Sequence, residues 1–212
     1  MTSRVRSMDV PSDDEYEDAA APKQDLSYLN EVALSGFEFG TAPSVVYKWT
    51  HDVEISVEGT PSESDLKALR TVVSDLNELV APIKVSLVKD DGDITVYYGD
   101  DSEFPRRLSG YTPGNRGYFE VSYGATHAIL GADILISTQV ETAARAHLVR
   151  EELTQSFGFF QDSWTDKESI FYQGWTLTQD YADRDREIIK MLYDSRIRPG
   201  MSRSKVASIL GE

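Results

Sequence analysis

The chain has 212 residues, of which 40% are hydrophobic and 10% aromatic, and its formal net charge is −15. This composition fits one medium-sized globular domain and excludes a wholly disordered or fibrous protein. The negative charge argues against a nucleic-acid partner, because phosphate binding needs clustered lysine and arginine. The absence of cysteine excludes disulfides, thiolate metal sites and cysteine nucleophiles.

No segment approaches the ~20 apolar residues that a membrane-spanning helix needs, so we expect no membrane span. Arg4 and Arg6 are not followed by the apolar region of a signal peptide. The compartment stays open. We expect an exported or cell-envelope location if a leader has been removed, and otherwise a cytoplasmic one.

Residues 1–25 are predicted to form a disordered acidic tail, because Ser, Asp, Glu, Pro and Ala dominate there. Residues 26–212 are predicted to form a single domain, with a C-terminal subdomain from about residue 159. A short apolar cluster in residues 26–36 is expected to dock on this domain.

The first half of the domain combines strands with one long helix. A strand is predicted from Val45 to Val57, and a helix from Thr60 to Val80. Thr60 is the predicted N-cap, and Glu63 completes a capping box. Further strands are predicted over residues 83–88, 93–98, 118–123 and 127–137, with a loop over residues 99–117.

The second half is mainly helical. A second capping box, from Thr138 to Glu141, predicts a helix that Gly158 ends in a left-handed conformation. A loop, a helix over residues 180–193 and a short helix after Ser202 follow. This order predicts an α/β (α+β) fold in which a twisted mixed sheet packs on two long helices.

The helix over residues 140–157 carries apolar residues on one side and a mixed, partly polar set on the other. The second side contains Ala144, Leu148, Glu151 and Gln155, flanked by His147 and Glu152. Such a helix either leaves that side in solvent or is buried on both sides with its polar side along a cleft. We favour the cleft.

Eleven residues of this region read E-E-L-T-Q-S-F-G-F-F-Q and resemble the H-E-x-x-H-x-x-G-x-x-H motif of metzincin zinc peptidases. In that family the histidines bind zinc and the glutamate is the general base. Glu152 and Gly158 keep the glutamate and glycine positions. The three histidine positions hold Glu151, Gln155 and Gln161.

The surrounding sequence extends the resemblance over residues 45–194. The segment S-I-F-Y resembles the Met-turn, with Phe171 in the place of methionine. The signature R-E-E-L-T-Q, which begins at Arg150, is similar to that of an uncharacterised bacterial family with a metzincin-like scaffold. The resemblance implies a zincin fold whose second helix carries a degenerate active-site motif.

The substitutions in the motif disfavour zinc. Catalytic zinc usually takes at least two histidines among three protein ligands. Glu151, Gln155 and Gln161 are only weak metal candidates, even with Asp162 beside them, and their oxygens suit calcium or another hard cation better. We therefore expect no cofactor, and zinc least of all.

Three functions remain open. We prefer a pseudopeptidase or binding protein whose cleft, lined by a network of Arg150, Glu151, Glu152 and Gln155, takes a peptide, a glycan or a partner protein. The second is a peptidase or glycan-directed hydrolase that uses Glu152 as general base without zinc. The third is a hydrolase with a non-standard metal site.

That third site would combine His147 and Glu151, one helical turn apart, with His127 from the preceding strand. Tyr172 and Trp175 are candidates for an aromatic wall of the cleft. The acidic residues of the last long helix, Asp185 among them, are predicted to lie in solvent.

Overall fold

The computed structural model of the protein describes residues 23–35 and 44–211. The helices are α1 (Lys23–Ala33), α2 (Glu63–Leu79), α3 (Phe104–Arg107), α4 (Thr142–Gln155), α5 (Asp183–Tyr193) and α6 (Arg203–Leu210), with a 3-10 turn at Asp101–Glu103. The strands are β1 (Val53–Gly59), β2 (Val85–Leu87), β3 (Ile94–Gly99), β4 (Gly117–Tyr123) and β5 (Ile129–Ser137). Most of the predicted tail lies outside the described residues and stays a prediction. Helix α1 begins at Lys23, so the last three residues of the predicted tail, 23–25, belong to a helix.

The five strands form one mixed sheet in the order β2-β1-β3-β5-β4. All neighbouring pairs are parallel except β4 and β5, so β4 is an antiparallel strand at the edge. Helices α2 and α4 pack against each other and on the sheet. The predicted class, a mixed sheet packed on two long helices, is confirmed.

The prediction of one continuous strand from Val45 to Val57 is wrong in its first half. Val45 and Lys48 form only isolated bridges, and the ladder begins at Val53. The residues between Lys48 and Val53 instead contact the end of helix α4. Trp49 is fully buried and its Nε1 donates to the carbonyl oxygen of Ser156 at 3.1 Å.

The two predicted capping boxes are also misplaced. The N-cap of α2 is Ser62, whose Oγ accepts from the Asp65 N–H at 3.3 Å, while Asp65 Oδ2 accepts from the Ser62 N–H at 2.8 Å. Asp65 is buried and forms an ion pair with Arg145 of α4. This contact favours a helix start at Ser62 over one at Thr60. Helix α4 begins after Glu141, which makes no side-chain capping bond.

Replacing Ser62 by alanine is expected to lower the free energy of unfolding by about 1 kcal/mol, because one capping acceptor is lost. Thr60→Ala, at the cap position that the sequence alone suggests, should change it by less than about 0.5 kcal/mol. Urea denaturation of both variants measures the difference. Equal effects would contradict the observed helix start.

The predicted docking of the first apolar cluster is confirmed, and it involves a buried carboxylate. Tyr28 of α1 donates to Ser169 Oγ at 2.7 Å, and Ser169 donates to Asp185 Oδ1 at 2.6 Å. Asp185 Oδ2 also accepts from the N–H groups of Ile170 (2.9 Å) and Ala182 (3.1 Å). The prediction that Asp185 lies in solvent is therefore wrong, because its carboxylate anchors the loop before α5.

Candidate functional site

A cleft of about 600 Å³ lies between edge strand β4 and helix α4. Its β4 side is formed by consecutive residues of the strand and the loop before it, 114–121. Its helix side and its end are formed by Leu148, Glu151, Glu152, Gln155, Phe160, Asp162, Gln173 and Trp175. Four of the predicted site residues thus share one cleft: Glu151, Glu152, Gln155 and Asp162.

Helix α4 is buried on both sides, which excludes the one-sided surface helix. Val149 and Leu153 are fully buried in the core, while Gln155, on the cleft side, is only 6% exposed. The helix is followed by Gly158 at a φ of +110°. A Cβ at this position would overlap the carbonyl oxygen of Tyr47, so the predicted left-handed glycine turn is confirmed.

Glu152 lies against the backbone of β4. A Cβ added to Gly117 would overlap Oε1 of Glu152, so the absence of a side chain at Gly117 makes room for this carboxylate. Glu152 is 8% exposed. Burial, followed by the charges of Glu120 and Glu152, raises the pKa of Tyr118 on the same strand. The carboxylate that the metzincin motif would use as a base therefore lies at the wall of the cleft.

His147 and Glu151 form an ion pair one helical turn apart. His147 Nδ1 lies 2.7 Å from the carbonyl oxygen of Thr178, and its Nε2 lies 3.2 Å from Glu151 Oε2. Burial opposes the charged imidazolium, but the hydrogen bond and charge of Glu151, aided by Thr178, outweigh it and raise the pKa of His147 above 6.5. Both ring nitrogens face acceptors, so the doubly protonated ring fits the site.

We expect NMR titration to give His147 a pKa above 6.5, and Glu151→Gln to lower it by removing the negative partner. Because the folded-state pKa is the higher one, this pair's contribution to stability is complete below pH 6.5. It is lost as the pH rises through the folded-state value. A pKa unchanged by Glu151→Gln would contradict the pairing.

The other two motif positions are occupied by amides in different surroundings. Gln155 Nε2 donates to Asp162 Oδ1 at 2.6 Å, so the amide oxygen of Gln155 points away from Asp162. Gln161 does not line the cleft; its N–H donates to the carbonyl oxygen of Val32 in α1 at 3.1 Å.

Arg150 does not join the cleft network that the sequence suggests. It is 1% exposed and lies on the α2 side of the helix, with Nη1 2.7 Å from Asp75 Oδ2. Its guanidinium stacks over the ring of Tyr181 at 4.4 Å. One residue along a helix is a rotation of 100°, so Arg150 and Glu151 point in different directions.

The aromatic and histidine candidates separate as well. Tyr172 packs edge-on against Trp164, with ring centroids 5.7 Å apart, and does not line the cleft. Trp175 does line it and is 63% exposed. His127 packs against Tyr47 at 5.1 Å, so it is not part of a site with His147 and Glu151.

The residues at the three histidine positions of the motif make other contacts. Within residues 23–35 and 44–211, no group of three or more His, Asp or Glu side chains is arranged to hold a metal. At the three histidine positions of the metzincin motif, Glu151 faces His147, Gln155 bonds Asp162, and Gln161 lies outside the cleft.

The wall of the cleft that β4 forms is not predicted by the sequence. In an antiparallel ladder, peptide groups alternate between the partner strand and the opposite side. The Ser137 N–H donates to the carbonyl oxygen of Arg116 at 2.8 Å, and Gly117 is in register with Ile136. The peptide groups of Gly117, Phe119 and Val121 therefore face away from β5, toward an open edge on which no other strand of residues 23–35 and 44–211 pairs. The strand was predicted, but strand order in the sheet has no local sequence signal.

Among the described helices, none is long and apolar enough to cross a membrane. No curated protein matches the chain. A solved structure described as "Structure of Myroilysin" is similar in fold at 12% sequence identity, with a TM-score of 0.48 over 84% of this chain and 98% of that one. A family model described as "Protein of unknown function (DUF2927)" matches residues 8–212, and the chain therefore belongs to the DUF2927 family.

Proposed function

We propose that the protein is a pseudopeptidase or binding protein whose cleft takes an extended peptide. The observation that carries this proposal is the open edge of β4, which faces the polar side of α4 across a cleft of about 600 Å³. An extended chain can add to such an edge through main-chain hydrogen bonds. A glycan has no comparable row of amides, so the edge favours a peptide.

The cleft offers both parts of strand-addition recognition. The outward peptide groups of Gly117, Phe119 and Val121 supply a row of donors and acceptors. Aromatic side chains supply the apolar surface: Phe119 stacks on Phe160 with centroids 6.0 Å apart, and Trp175 is exposed at the same cleft. Backbone pairing would give affinity and the side-chain surfaces would give selectivity.

The charge of the lining favours a cationic peptide. Among the described residues, four carboxylates line the cleft: Glu120, Glu151, Glu152 and Asp162. Glu151 is paired with His147, and the basic residue of the lining, Arg116, is paired with Asp101. A surplus of carboxylates attracts lysine and arginine side chains and repels acidic ones.

The experiment is a fluorescence anisotropy titration with a labelled eight-residue peptide of alternating lysine and valine. We expect saturable binding that weakens by about tenfold or more when glutamate replaces lysine, or when alternate backbone nitrogens are methylated. Glu120→Gln in the cleft should weaken binding, while Glu54→Gln, exposed on β1, should not. Equal binding of the methylated peptide would overturn strand addition.

A second candidate is a hydrolase that uses Glu152 without zinc. It is favoured by one observation, the placement of this largely buried carboxylate at the cleft wall beside Glu151. Hydrolysis of the same lysine–valine peptide, followed by mass spectrometry, tests it. Cleavage that disappears in Glu152→Gln would establish the hydrolase; binding without cleavage would support the pseudopeptidase.

A further inference from the structure

A second cavity, of about 550 Å³, lies between α2 and α4 and shares no lining residue with the β4 cleft. Helix α2 contributes Ser64, Lys67, Ala68, Thr71 and Val72; α4 contributes Thr142, Ala143, Ala146 and Arg150; and Gln179 and Asp180 close one side. The lining is more apolar than polar, and its polar groups are the hydroxyls of Ser64, Thr71 and Thr142, the amide of Gln179 and three charged side chains.

Arg150 is the group in this cavity that requires an explanation. Its side chain is nearly completely buried, and among the described residues no group accepts a hydrogen bond from its Nε. Nη1 is ion-paired with Asp75 but without hydrogen-bonding geometry. A buried guanidinium normally uses its planar set of donors, and donors left unmet are costly. The arrangement suits an acceptor that enters the cavity.

The surroundings of Arg150 add positive potential. The lining includes the first residues of α4, a helix of 14 residues whose N-cap, Glu141, provides no side-chain acceptor. The free N–H groups and the dipole at a helix N-terminus attract anions. Thr142 Oγ1 accepts from Arg145 Nη2 at 3.2 Å, so its own hydroxyl hydrogen is available to a ligand.

A lysine at the rim of the cavity supplies a second cationic group. Lys67 is exposed at the rim and forms no ion pair with any described carboxylate. The lining thus combines Lys67 and Arg150 with Asp180, and Asp75 behind the lining balances the charge of Arg150.

We propose that this cavity binds a small oxyanion, a carboxylate- or phosphate-bearing metabolite. Arg150 provides the buried donors, Thr142 and the start of α4 provide hydroxyl and backbone donors, and Lys67 closes the rim. Guanidinium groups match the planar or tetrahedral oxygens of both anions. This proposal does not depend on the peptide cleft, because the two cavities share no lining residue.

Isothermal titration calorimetry of the full chain with sodium phosphate and with sodium citrate, at ionic strength matched by sodium chloride, tests the proposal. We expect saturable binding of at least one anion, and the tighter one identifies the class. Lys67→Gln should weaken it by about three- to fivefold, and this exposed residue is not needed for folding. Lys89 lies outside the cavity and its side chain is 94% exposed, so Lys89→Gln should leave the affinity unchanged.

Arg150→Lys keeps the charge but loses the planar donors, and it should weaken binding more than Lys67→Gln does. If this variant fails to fold, the comparison of Lys67→Gln with Lys89→Gln still decides. No saturable heat with either anion, or equal weakening by the two lysine variants, would overturn the proposal.

Discussion

Replacement of Gly158 by alanine is expected to lower the free energy of unfolding by about 4 kcal/mol, the largest effect of any single substitution that we predict. The backbone at Gly158 has a φ of +110°, which side chains disfavour. In addition, the new Cβ would overlap the carbonyl oxygen of Tyr47, and backbone cannot move aside as a flexible side chain can. Urea denaturation of both proteins measures the loss.

Gly114→Ala is the matched control. Gly114 has a similar φ of +106°, but a Cβ there meets no atom within 4 Å. Only the backbone strain remains, so we expect a loss of about 1–2 kcal/mol. Similar losses at the two glycines would contradict the close contact between the end of α4 and the Tyr47 segment.

Asp185→Ala is expected to lower the free energy of unfolding by about 3 kcal/mol, because it leaves two buried N–H groups and the Ser169 hydroxyl without their acceptor. Asp185→Asn keeps a side-chain oxygen and should cost about 1 kcal/mol near neutral pH. Asp183→Ala, in the same first turn but exposed, is the control and should cost about 0.5 kcal/mol.

The effect of Asp185 also depends on pH. Burial, which outweighs the hydrogen bonds from Ser169, Ile170 and Ala182, raises the pKa of this carboxyl above 3.8. The folded protein therefore binds the proton more tightly, and the resulting stability is complete below pH 3.8 and lost as the pH rises through the folded-state pKa. The stability of wild type relative to Asp185→Asn should fall over that range. A constant difference would contradict the raised pKa.

Periodicity and turn residues were sufficient to predict the scaffold. The predicted strands other than the first lie within a few residues of β2 to β5, and Gly158 ends its helix region as expected. Helix starts were less predictable, because Thr60 and Ser62 are both good capping residues. The choice of Ser62 depends on the ion pair between Asp65 and Arg145, 80 residues away in sequence.

The candidate site was predictable on its helix side and at Asp162 and Trp175, but not at its β4 wall. Glu151, Glu152 and Gln155 are close in sequence, and a helical projection places them along one groove. The opposite wall depends on β4 being the edge strand, which is a property of sheet order. The same applies to Asp185 and Arg150: charged residues are usually exposed, and their burial depends on partners from other elements.

The central claim, that an extended peptide adds to the open edge of β4, is tested most directly by amide hydrogen exchange. Exchange at individual amides is measured by NMR with and without the alternating lysine–valine peptide. We predict that the amides of Gly117, Phe119 and Val121 become protected when the peptide is bound, because their N–H groups face the open edge. Binding that leaves these three amides exchanging at their original rates would contradict the claim.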